Sequence, residues 1–272
     1  MSRRRELQAR IASLGEISEI LGAMKGLALV ELRRVGEHIG AQRESVRQIE
    51  TALAEVVHFH GAALPAPRTP SFDICCVIGA ERGLCGDFNA HIAQAAATRF
   101  GERPPDGVIL VGDKLVEGWG FPTPVLGRVR APSVADEIPA TLAQLLAAIE
   151  NAADSRPQQA LRLRVLHHGA AGIVHRQLLP PVELPPPRLA FAPRLYLDPG
   201  RCAEALIEHY LHTLLHAALS ESLLEENRRR LEQMDQARHR LDERLSILRR
   251  RENRERQEEI VEEIEVILLT AS

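Results

Sequence analysis

Aromatic side chains are scarce in this 272-residue sequence, at 3%, which disfavours a β-sandwich built on large rings. Cysteine is also sparse. Cys75, Cys76, Cys85 and Cys202 are too few and too irregularly spaced for a disulfide framework or a paired C-x-x-C zinc site. They fit a reducing cytosol and read as small buried hydrophobes. No run approaches the roughly 18 apolar residues of a membrane span. The basic start, Met1 to Arg5, leads into charged sequence rather than an apolar h-region, so no signal peptide is expected. An excess of positive charge is missing too: the net charge of −3 and pI near 6.4 give no basic field, so nucleic acid is not an expected partner. These absences predict a protein that meets a membrane only through partners.

What is present is ordinary globular material, 45% hydrophobic and 26% charged. Its distribution is uneven. Ala, Leu, Arg and Glu dominate both ends and favour long helices, whereas the middle is rich in Pro, Gly and Val.

A 4,3,4,3 lattice runs through Leu7, Ile11, Leu14, Ser18, Leu21, Lys25, Ala28, Leu32, Val35, Ile39, Gln42, Val46, Ile49, Leu53 and Val56, and only Ser18, Lys25 and Gln42 are polar. That 3.5-residue period predicts one helix from about Glu6 to Phe59, roughly 80 Å long, burying a narrow stripe against a partner helix. The partner candidate begins at Asp198-Pro199, an N-cap followed by a first-turn proline, and no proline follows it. Leu224, Leu231, Met234, Leu241, Leu245 and Leu248 keep a heptad phase, and Ile260, Ile264, Ile267 and Ala271 resume it one step displaced, as after a stutter. Periodicity alone leaves open whether the two helices pair with each other or with another chain.

Pro65, Pro67 and Pro70 mark the exit from the first helix, and Pro180 to Pro187 the approach to the second. Between them, residues 73–79, 107–111 and 161–166 read as buried strands. Segments near 87–100, 113–118 and 137–153 read as helices. The expected fold class is α/β, a long antiparallel coiled coil of the terminal helices with an inserted Rossmann-like α/β domain. The expected boundaries are 1–62, 63–197 and 198–272.

Chemistry-bearing signals are weak. The loop Gly79-Ala-Glu-Arg-Gly83-Leu-Cys-Gly86 joins a strand to a helix, where phosphate-binding turns sit, but its spacing is neither G-x-G-x-x-G nor a P-loop. His209, His212 and His216 share a helical face and could ligate a metal, yet i,i+3 and i,i+4 spacing puts any residues on a common face. His167-His168 and His58/His60 are equally ambiguous. No catalytic constellation, metal site or cofactor is expected. The arginines Arg238, Arg240, Arg244, Arg249, Arg250, Arg251, Arg254 and Arg256, followed by the acidic tract Glu258 to Glu265, read either as a solvated coiled-coil face or as a docking surface for acidic elements of a partner.

Several stretches carry a family resemblance. Leu7 to Arg34, with Ile11-Ala-Ser13, Gly22-Ala-Met24-Lys-Gly-Leu-Ala28 and Glu31-Leu-Arg33, resembles the opening helix of the gamma subunits of F-type ATP synthases. Glu81-Arg-Gly-Leu-Cys-Gly86-Asp-Phe-Asn89 resembles that family's D-R-G-L-C-G-G-L-N loop. In the last helix, Arg194-Leu-Tyr-Leu-Asp198-Pro, then Glu221-Ser-Leu223 with Glu226, Arg230 and Met234, then Asn253-Arg-Glu-Arg256-Gln257 and Ile260-Val-Glu-Glu-Ile264, follow the family in one ungapped register. The stretch from about Gly127 to Pro193 is weakly similar.

The resemblance, to a divergent bacterial member, implies a non-catalytic rotor shaft carrying torque between the membrane c-ring and three alpha and three beta subunits. It implies epsilon as a further partner and a peripheral position on the cytoplasmic face of the inner membrane. By resemblance Arg256 and Gln257 engage a catch loop of beta, and Met24 and Arg230 lie where rotation couples to catalysis. The sequence departs from the family at Gly22 and Glu31, which replace lysines, at Glu16 to Glu19, at Val261, which replaces threonine, and at the acidic tip with Glu262, Glu263 and Glu265. The alternative is a Rossmann-like nucleotide-binding protein with coiled-coil arms.

Overall fold

The computed structural model describes residues 3–61, 71–182 and 184–270, so Pro65, Pro67, Pro70 and Ala271 lie outside the described residues. The elements run α1 (Arg3–His60), β1 (Ser71–Ile78), α2 (Phe88–Glu102), β2 (Gly107–Val111), α3 (Asp113–Gly118), β3 (Val125–Val129), α4 (Ile138–Asp154), β4 (Ala160–Gly169), β5 (Gly172–Leu179) and α5 (Pro199–Thr270). The start of α5 follows from its sequence: Asp198 Oδ1 accepts the backbone N–H of Gly200 at 3.0 Å and of Arg201 at 3.3 Å, satisfying amides that lack helical partners. Contacts divide the chain into two units, Met1–Leu29 with Arg230–Ser272, and Val30–Arg229.

In the first unit α1 and α5 run antiparallel. Arg4 meets Glu252 and Glu259, Ser18 meets Asp242, and Lys25 meets Asp235. The row read from the sequence is the buried one. Each of its positions is buried or half-buried along the whole of α1, as a seam with a 3.5-residue period requires. On α5 the seam holds through Met234 and Leu245, but the displaced continuation does not pack. Ile260, Ile264 and Ile267 are 46%, 50% and 63% exposed. The reason is length: Arg4, in the first turn of α1, already reaches back to Glu259, so the later turns of α5 overrun the described start of α1.

The second unit holds a five-stranded sheet, ordered β3-β2-β1-β4-β5, parallel except for β5, which runs antiparallel to β4. Side chains alternate across it. Ile74, Cys76, Ile78, Ile109, Leu163 and Val165 pack with α4 and with Leu53 of α1 and Leu219 of α5. Cys75, Val77, Val108, Leu110 and Leu166 pack with Ile92 and Phe100 of α2 and Leu115 of α3. Covering both faces is what makes the inner strands continuous apolar runs. Buried Asp73 in β1 is balanced by Arg164 of β4, Nε to Oδ1 at 2.9 Å.

β3 and β5 are strands that the sequence reading does not contain. Both are sheet edges. β3 (VLGRV) is mostly exposed, and β5 (GIVHRQLL) is half-buried with polar residues at its centre, so neither shows an unbroken apolar run or clean alternation.

Candidate functional site

The first unit contains all four residues singled out by resemblance. Its register is fixed by polar pairs flanking the seam. Arg4 donates to Glu252 at 3.1 Å and to Glu259 at 3.0 Å, and Gln8 donates to Glu252 at 2.9 Å. Hydrogen bonds from Arg4 and Gln8 hold the Glu252 carboxyl below its ordinary range. Lys25 likewise pairs with Asp235 and lowers its pKa. Met24 is half-buried beside Lys25, and Arg230 is buried at 8% exposure. Those two lie at one end of the unit. Arg256 and Gln257 are exposed toward the other end, next to the contacts of Arg4.

The arginine band is solvent-facing, with Arg240, Arg244, Arg249, Arg250, Arg251 and Arg254 all exposed. Arg238 is seated by a small residue on the opposite helix: a Cβ on Gly22 would stand 3.6 Å from its Nη1. A lysine at Gly22, as the resemblance leads one to expect, would set a second cation against that guanidinium. Glu31 has a local role in the second unit. Its carboxylate accepts the backbone N–H of Ala135 at 3.0 Å, and Arg34 pairs with Asp136 at 3.0 Å, so one turn of α1 holds the short turn Ala135–Glu137.

The glycine-rich loop lies where doubly wound sheets bind ligands, beyond the carboxyl ends of the parallel strands. Here the chain fills that place with its own groups. Glu81 accepts Arg130 Nε at 3.0 Å and the backbone N–H groups of Ala131 at 2.9 Å and Asp113 at 3.2 Å, donors that an anionic ligand would need. His168 stacks on Phe88 at 3.7 Å and its Nε2 bonds Phe88 O at 2.9 Å. Asn89 Oδ1 accepts Ala80 N–H at 2.9 Å, and a Cβ on Gly79 would collide with Leu115 Cβ at 2.6 Å. The outer cleft of about 470 Å³, lined by Glu81, Arg82, Asp113, Lys114 and Arg130, mixes both signs of charge. The loop is therefore a packed corner, with Leu84 and Gly86 in left-handed conformations at φ 64° and 62°.

Other candidates are equally structural. Burial pushes the Cys75 thiol up to about 12 and Cys76 well above its ordinary value, which removes both as nucleophiles. His212 and His216 have ring centroids 6.5 Å apart, His216 touches Gln42 of α1, and His209 is exposed. Burial and then His212 push the His216 pKa down.

A family model described as ATP synthase matches residues 3–272. The ATP synthase gamma chain of Mycobacterium tuberculosis is 28% identical over 297 residues, covering 97% of this chain and 95% of that one. The chain belongs to the ATP synthase gamma family. A gamma chain from Desulforamulus reducens is 34% identical over 117 residues, 42% of this chain and 41% of its own. Among solved structures, a chain of the Euglena gracilis mitochondrial ATP synthase, in a structure described as OSCP/F1/c-ring, superposes with TM-score 0.64 at 16% identity. It covers 98% of this chain and 93% of that one. A second Euglena structure, described as the rotor, gives TM-score 0.58 at 16% identity, covering 94% and 98%. As a gamma-family member the chain is a component of an ATP synthase. Among its described residues no helix is long and apolar enough to cross a membrane.

Proposed function

We propose that this chain is the central rotor shaft of an F-type ATP synthase, carrying torque between an ion-driven c-ring and three alpha and three beta subunits. One observation carries the reading: the family match runs from residue 3 to residue 272, through both long helices and the sheet between them. The names given to the Euglena chains' assemblies support the same partners.

The physical role is differential binding. An asymmetric coil turning inside a ring offers each beta subunit a different face in turn, and stabilises whichever conformation fits that face. No chemistry on ATP is asked of this chain, which acts as a non-catalytic subunit. Arg256 and Gln257 are the proposed contacts with a catch loop of beta, their exposure leaving them accessible. Met24 and Arg230 are the proposed coupling positions. Residues 63–197 act as an inserted domain between coiled-coil segments 1–62 and 198–272, and epsilon and the c-ring are further proposed partners of the chain. We infer a peripheral position for the chain on the cytoplasmic face of the inner membrane. The exposed apolar turns at Ile260, Val261, Ile264 and Ile267 support enclosure of the tip by partners.

Co-expression with cognate alpha and beta subunits tests the reading. The expected product is an ATPase containing one copy of this chain per three beta. An ATPase that excludes it would sink the proposal.

A further inference from the structure

In the second unit, apolar packing between the helices and the sheet stops short of the β5 edge. Leu53 of α1 and Leu219 of α5 are fully buried against the inner strands. Beside β4 and β5, however, a cleft of about 270 Å³ opens, lined by Val46, Val165, Val174, Leu178 and Leu214. Two polar pairs stand at this cleft. Arg176 of β5 pairs through Nη2 with Glu50 of α1, their side chains 23% and 13% exposed. Arg43 of α1 donates through Nε to Glu221 of α5 at 3.0 Å.

Arg176 is costly where it stands. It shares the covered side of an edge strand with Val174 and Leu178, and its Nε has no hydrogen-bond partner among the described residues. An aliphatic residue there would stabilise the fold as well or better, since a half-buried ion pair seldom repays its desolvation. What the pair adds is direction. Apolar attraction is non-directional, whereas a guanidinium fork fixes where a carboxylate sits.

Resting on the rotor reading, we propose that Arg176 and Glu50 are positioning residues that carry torque between the inserted sheet and α1, with Arg43 and Glu221 making α1 and α5 turn as one. Load placed on the sheet by a partner acts as shear along its covered face, and the cleft is where packing resists that shear least. A sheet that slips under the helices loses rotary angle that they never receive. The two pairs tie edge strand, first helix and last helix together at that weak border.

The test is ATP-driven rotation of the assembled complex, read by a tethered bead, with Cys202→Ser removing the one thiol that is not buried. A bead on Ala97→Cys, exposed on α2, loads the shaft through the sheet. A bead on Ala205→Cys, exposed on α5, loads it directly. The spread of bead angles during pauses measures compliance. Glu50→Gln and Arg176→Gln should each widen that spread at Ala97→Cys and leave it unchanged at Ala205→Cys, and Arg176→Lys, which keeps the charge, should restore it. Amides of β5 should exchange hydrogen about two- to fivefold faster in both neutral variants, the loss expected of one ion pair. A parental spread at Ala97→Cys in both neutral variants, equal widening at both tethers, or a spread left wide by Arg176→Lys overturns the torque path and leaves the rotor standing. Failure of both neutral variants to assemble assigns the pair to folding and overturns the path as well. Exclusion of the unmodified chain from the ATPase overturns the rotor, and the torque path with it.

Discussion

His168 joins the loop to the sheet, and burial pushes its pKa down to about 4; burial lowers His167 as well. A histidine held neutral in the folded state takes up its proton only as the chain unfolds. Its contribution is complete above the unfolded value near 6.5 and is lost as pH falls from there toward 4. For His168 the ceiling is about 3 kcal/mol, less whatever solvent still reaches the ring. Urea unfolding of the full chain, followed by the fluorescence of its one tryptophan, Trp119, should give lower stability at pH 5 than at pH 7.5. His168→Gln should flatten that dependence, and an unchanged slope would remove His168 as its source. Glu81→Gln should destabilise the same unit by about 1–3 kcal/mol, because the amides of Asp113 and Ala131 and the Arg130 guanidinium lose an ionised acceptor. Stability within about 0.5 kcal/mol of the parent, on the scale of surface substitutions, would mean that water replaces the carboxylate.

At the scale of elements, legibility followed burial. The 3.5-residue row of α1 could be read because its seam stays buried or half-buried along the helix, and β1 and β2 because both sheet faces are covered. β5 was invisible because His175, Arg176 and Gln177 occupy the centre of an edge strand, and Glu81 gave no sign of its bonds to residues far along the chain. The four proposed contact and coupling positions were legible only through resemblance, since exposure of Arg256 and Gln257 leaves no trace in periodicity. The overrun of α5 came from counting two helices against each other, which one helix's pattern cannot supply. It has a consequence for stability. Ending the chain after Glu259 removes turns of α5 whose described residues, 260–270, are all exposed, so the melting temperature should change by no more than roughly 2 °C, while binding to the alpha–beta ring weakens. A large fall in melting temperature would show that these turns hold the coil together.

For the molecule as a shaft, holding together and transmitting torque are separable demands made on different surfaces. The coil depends on its seam, where Leu7, Ala28, Met234 and Leu245 are each at most 6% exposed, and on pairs such as Arg4 with Glu252. Arg256 and Gln257 belong to neither, being exposed. Arg256→Ala with Gln257→Ala should therefore leave the fold and the composition of the complex intact, because a few contacts are removed from a large interface. Ion translocation per ATP hydrolysed should fall, since a catch acts only at the rotary positions where it engages and its loss lets beta change state without the shaft. The measurement is ion pumping in vesicles set against ATPase rate for the purified complex. Pumping that falls only in proportion to the amount of assembled complex would assign these residues to assembly, and pumping at the parental ratio would assign them no role in coupling.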